Sequence, residues 1–108
     1  MEFKQVAAIL RNELLDGVLE ELKKIGVKGL TVTSVKGYGE NKHILAKHWF
    51  ISHARVEIIT EEAKADEIVT AIMEVAHTGG PGDGIVCIVP VEKVFRIRTR
   101  SEARPDEI

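Results

Sequence analysis

Two runs of this 108-residue chain, Lys4–Leu10 (KQVAAIL) and Ile85–Val89 (IVCIV), place apolar side chains on successive positions. A strand with one face in water alternates apolar and polar residues. These two do not, so both of their faces need cover. The segments between them supply cover for one face. Leu14, Leu15, Val18, Leu19, Leu22 and Ile25 recur at helical spacing. That predicts an amphipathic helix over 13–25, with Asn12 as its N-cap and Gly26 just past its end. Gly17 inside this helix costs about 1 kcal/mol relative to alanine. Leu30–Lys36 (LTVTSVK) and Ala54–Thr60 (ARVEIIT) are rich in β-branched residues and read as strands. Thr60 is placed to cap a second helix with Glu61 and Glu62 in its first turn. Ile68, Ala71, Ile72, Val75 and Ala76 form its apolar stripe. Val94–Thr99 (VFRIRT) reads as a short final strand, and residues 100–108 as a polar tail.

The order β-α-β-β-α-β plus a last strand predicts a ferredoxin-like α+β sandwich: one domain over 1–108, an antiparallel sheet, both helices on one face. Two helices cover only that face. The apolar second face therefore predicts self-association into a closed oligomer.

Composition narrows the function classes. The chain is 44% hydrophobic and 30% charged, with a net charge of −2 from 15 basic and 17 acidic residues. That lacks the basic excess of a general nucleic-acid binder. No apolar run reaches the length of a membrane span, and the start MEFKQVAAIL does not resemble a signal peptide. The single cysteine, Cys87, rules out an internal disulfide and fits a reducing, cytoplasmic setting. It sits mid-strand and is expected in the core. No Ser/His/Asp or Cys/His arrangement stands at a recognisable spacing, so an enzyme is not expected.

Four features carry chemistry. Thr78–Gly84 (TGGPGDG) offers backbone amides for an anion, or is a plain turn. Arg96, Arg98 and Arg100 alternate and would share one strand face, either fitting phosphate oxygens or pairing with Glu92 or Glu102. Lys36-Gly37-Tyr38-Gly39 ends a strand at the mouth of a long loop. That loop holds His43, His48 and His53, whose spacing matches no standard zinc pattern.

In combination these stretches resemble the PII signal-transduction family. Gly26–Gly39 (GVKGLTVTSVKGYG) resembles the second strand and the entry to the T-loop, here about 37–53. Thr78–Gly84 resembles the B-loop, and Val94–Thr99 resembles the closing RIRT segment of a C-terminal region spanning 94–108. The resemblance implies a homotrimer with an adenine nucleotide, a regulatory ligand rather than a cofactor, in each cleft between subunits. Leu30, Thr31, Glu57 and Ile59 would surround adenine and ribose. Gly37 and Gly39 would line the loop base, Gly82, Asp83 and Gly84 would present backbone to phosphates, and Arg96 and Arg98 would reach the phosphates.

The departures shape the expectation. Ile85 stands where the family has lysine, His53 stands for another lysine, and Glu40-Asn41 replaces an Arg-Gln pair. Fewer cations shift the expected ligand from ATP toward ADP or AMP, with ATP kept as an alternative, and weaken the expectation of 2-oxoglutarate sensing. The shortened T-loop has no tyrosine beyond Tyr38 to be modified. Its GYG entry and PGDG sequence are most similar to the carboxysome-associated branch. That branch implies bicarbonate as second effector, near Asn41, His53 and Arg100. Trp49 and Phe50 are expected to anchor a protein partner in carbon or nitrogen metabolism, such as a transporter or carbon-fixation component. The competing expectation is a metal-binding trimer of the same fold, in metal tolerance or efflux, using His43, His48 and His53.

Overall fold

The computed structural model describes residues 2–38 and 51–108. Four strands build the main sheet: β1 (Phe3–Leu10), β2 (Thr31–Gly37), β3 (Ile51–Glu61) and β4 (Ile85–Val91), in the order β2-β3-β1-β4 with every neighbour antiparallel. Helices α1 (Leu15–Lys24) and α2 (Ala65–Ala76) pack together on one face. This is the ferredoxin-like α+β arrangement.

Register explains the core. Val6 pairs with Ile58 and Ile88, and Ala8 with Val56 and Val86, so these side chains point to the same face. There Val6, Ala8, Leu10, Val56 and Ile58 are buried with Val18 and Leu22 of α1 and Ile68 and Ile72 of α2. Gly17 has a packing role: a Cβ there would lie 3.2 Å from Val75 Cγ1, where the two helices approach. Gly26, with φ at +93°, ends α1 as expected. Its amide donates to Lys23 O at 3.1 Å and that of Val27 to Leu22 O at 3.0 Å, a Schellman closure.

Among the described residues, most of the opposite face is left open. Its apolar groups concentrate on the edge strand β4, where Ile85 is 68% and Val89 39% exposed. Cys87, expected in the core, is exposed, because it pairs with Ala7 on the open face. Arg55 and Glu57 add charge to this face, paired Nε to Oε1 at 3.2 Å, and Gln5 Nε2 donates to Glu57 Oε2 at 2.7 Å.

Three further expectations are corrected. Both helices enter through a 3-10 turn (Asn12–Leu14 and Glu62–Lys64), without a side-chain cap. Asn12 instead donates from Nδ2 to Ser52 O at 3.3 Å. Thr60 is a buried residue of β3, which runs one residue beyond it. The final strand over 94–99 is a small hairpin, β5 (Phe95–Arg96) and β6 (Ser101–Glu102). The chain reverses at 97–100, with Arg100 at φ +57° and its amide donating to Arg96 O at 2.9 Å. Arg96, Arg98 and Arg100 therefore do not share a strand face.

Candidate functional site

The candidate residues gather at two ends of the sheet. At one end, Leu30, Thr31, Glu57, Ile59 and Arg96 line a cleft of about 380 Å³ between the α1–β2 connection, β3 and the C-terminal segment. Thr31 and Glu57 come together because they are register partners across β2 and β3. Lys28 and Lys64 add positive charge to the cleft, and Glu67 and Glu107 add negative charge. Arg96 does not pair with Glu92 or Glu102. Its Nη1 donates to Glu107 O at 3.3 Å, and its Nε lies 3.7 Å from Glu107 Oε2. Arg98 and Arg100 are exposed in the hairpin turn, outside the lining of this cleft.

At the other end stand Gly37 and the loop 78–84. Gly37 closes β2 opposite Ile51. The loop is organised by Asp83. Its Oδ2 accepts from the amides of Thr78 at 2.8 Å and Gly79 at 2.9 Å, and its Oδ1 from the Thr78 hydroxyl and from Arg11 Nε at 3.2 Å. These donors, led by the Thr78 hydroxyl and amide, hold the Asp83 carboxyl far below the usual carboxylate range. The Asp83 amide donates to Gly80 O at 3.2 Å, so it is already engaged within the loop. Of the three amides expected to face phosphates, this one is not offered in this conformation.

Gly84 is fixed by contact rather than by turn preference. Its φ is +96°, and a Cβ there would overlap the Ile9 carbonyl oxygen. The loop thus enters β4 by passing directly against the end of β1. Gly82 is buried, and its carbonyl lies 3.3 Å from His53 Nε2, which ties β3 to the loop. Ile85, in the place of the expected lysine, brings an exposed apolar side chain to this end.

Sequence reasoning missed Arg11, Lys28 and Glu107. Arg11 follows an apolar strand and gives no local sign of a partner 72 positions away. Glu107 lies in a tail whose only signal was mixed charge. Gly39, Asn41, His43, His48, Trp49 and Phe50 lie outside the described residues. Among the described residues, no three His, Cys, Asp or Glu side chains form a cluster fit to hold a metal ion. No helix among them is long and apolar enough to cross a membrane.

The sheet, its helix layer and this pair of end sites define a ferredoxin-like α+β protein with polar sites at opposite ends of one sheet. The sequence profile of the family described as nitrogen regulatory protein P-II matches residues 3–101. The nitrogen regulatory protein P-II of Azospirillum brasilense is 37% identical over 103 residues, covering 89% of this chain and 92% of that protein. Its counterpart in Pasteurella multocida is 38% identical over 106 residues, covering 92% and 95%. The crystal structure of Arabidopsis thaliana PII bound to citrate superposes with a TM-score of 0.80 at 31% identity, covering 94% of this chain and 86% of that one. The chain belongs to the nitrogen regulatory protein P-II family and is a PII-like signalling protein.

Proposed function

We propose that this protein binds an adenine nucleotide, ADP or AMP in preference to ATP, in clefts between the subunits of a homotrimer. The occupied cleft orders the loop at 37–53, which binds or releases a protein partner. The observation that carries this reading is the division of the candidate residues. Thr31 and Gly37 stand six residues apart on one strand, roughly 20 Å at about 3.3 Å per residue. A nucleotide touching both within a single chain would have to be stretched to about its full length. Two chains meeting head to tail would place the glycine loop of one beside the cleft of the next, which suits a closed ring. The exposed apolar groups of β4 on the open face favour the same assembly.

The preference for a less charged nucleotide follows from Ile85 and His53. Ile85 brings no charge to the loop, and His53 is tied to the Gly82 carbonyl. Bicarbonate as second effector, near Asn41, His53 and Arg100, completes the reading. So do a cytoplasmic location and a transporter or carbon-fixation component as the partner met by Trp49 and Phe50. Domain limits of 1–108, with functional loops at 37–53 and 78–84, belong to the same proposal. A calorimetric panel of ATP, ADP, AMP and cyclic AMP, with and without bicarbonate, tests it on purified trimer. ADP or AMP should bind more tightly than ATP. Binding of Cu²⁺ or Zn²⁺ with no response to any nucleotide would reverse the reading in favour of the metal-binding trimer.

A further inference from the structure

The C-terminal segment folds back onto the cleft. After β6 it is anchored by Ala103, which is buried and donates its amide to Val94 O at 2.8 Å. Pro105–Glu107 then makes a 3-10 turn, with Glu107 Oε1 accepting from the Arg104 amide at 3.0 Å. This turn brings Glu107 to Arg96, through both the carbonyl and the carboxylate. Across the cleft Lys28 Nζ donates to Asp106 O at 3.4 Å. Glu107 and Ile108 therefore line the same cleft as Thr31 and Glu57.

A guanidinium takes a carboxylate and a phosphate in the same forked geometry. The arginine assigned to phosphate is thus already held by an acid of its own chain. The contact is exchangeable: both side chains are about one-third exposed, and such pairs are weak. A phosphate at Arg96 would also face the Glu107 carboxylate at close range, and like charges repel.

We propose that residues 105–108 are a tethered competitor for the nucleotide. Glu107 occupies Arg96 until a phosphate takes it, and binding then releases the segment beyond Arg104. The proposal rests on the nucleotide reading above and adds a second output to it. Occupancy is reported by a freed acidic tail as well as by the loop at 37–53. The competitor also lowers apparent affinity by the fraction of time it leaves Arg96 accessible.

Calorimetry with ADP on three full assemblies tests this: the intact chain, E107Q, and a chain ending at Arg104. Glutamine keeps an acceptor for the Arg104 amide and removes only the charge. Both variants should bind ADP about fivefold more tightly, as for a tail docked about four-fifths of the time. In the intact chain, saturating ADP should turn the amides of Asp106, Glu107 and Ile108 from ordered to mobile by heteronuclear NOE. Equal or weaker affinity in both variants overturns the competitor, and so do amides that stay ordered with ADP bound. Tightening on truncation alone overturns the role of the Glu107 charge. In each of those cases the intact chain still binds ADP, and the nucleotide reading stands. Absence of ADP, AMP and ATP binding from all three forms overturns the nucleotide reading itself, and the competitor with it.

Discussion

The two ends of the sheet handle their polar groups in opposite ways. At the glycine loop, donors and acceptors close on one another: Asp83 gathers Thr78, Gly79 and Arg11, and Gly84 presses on Ile9. At the cleft, Arg96 and Lys28 meet the tail through long, partly exposed contacts. The first end is a preset shape that needs little ordering when a ligand arrives. The second holds a stand-in that must leave. A site assembled from both would have one rigid wall and one responsive wall, and the responsive wall is where a regulator can act.

Substitutions can break this contrast, beginning with the rigid wall. Gly84→Ala should destabilise the chain by about 3 kcal/mol or more, since the new methyl meets backbone at a positive φ. Urea unfolding reads the loss; a change below about 1 kcal/mol would mean that the ends of β1 and β4 can part. On the responsive wall, Arg96→Ala should weaken ADP binding by about 1–3 kcal/mol, the range for charge-assisted hydrogen bonds. Unchanged calorimetric affinity would remove Arg96 from the site.

Acid provides a gentler probe of the loop. The Asp83 carboxyl is depressed in the folded state, so its contribution is fully present above the ordinary Asp value of about 3.9. It is lost as pH falls toward the folded value. Protection of the Thr78 and Gly79 amides from exchange is therefore expected at neutral pH and down to pH 3, and Asp83→Ala should abolish it at every pH. Equal exchange rates in the parent and the variant at pH 5 would show that Asp83 does not organise the loop. The smallest effect is expected at Gly17→Ala. Better helix propensity, worth up to about 1 kcal/mol, opposes crowding against Val75, so thermal unfolding should move the stability by less than about 1 kcal/mol in either direction.

The order and packing of the main elements were legible in the sequence because each has a period. Leu14 through Ile25 announce a helix, and the apolar runs of β1 and β4 announce strands that need cover on two sides. Element ends were not legible. Thr60 has the side chain of a cap, yet pairing with Lys4 keeps it in β3. The segment VFRIRT alternates like a strand, yet the chain turns at 97–100 through Arg100 in a left-handed conformation that local propensity does not foretell. The cleft residues were named by resemblance, and five of them do line one cavity. The anchoring role of Asp83 was not legible, because Arg11 reaches it only when the residue after β1 and the loop are brought together.

The span between the two ends has a consequence for counting. If each ligand is gripped by one end of one chain and the opposite end of the next, a ring of n chains contains n complete sites and leaves no half-site over. An open chain of subunits always leaves one of each half unmatched. Ligand stoichiometry then reports ring closure: dilution that splits the ring removes complete sites in step with closed contacts, and saturating ligand holds the ring together by mass action.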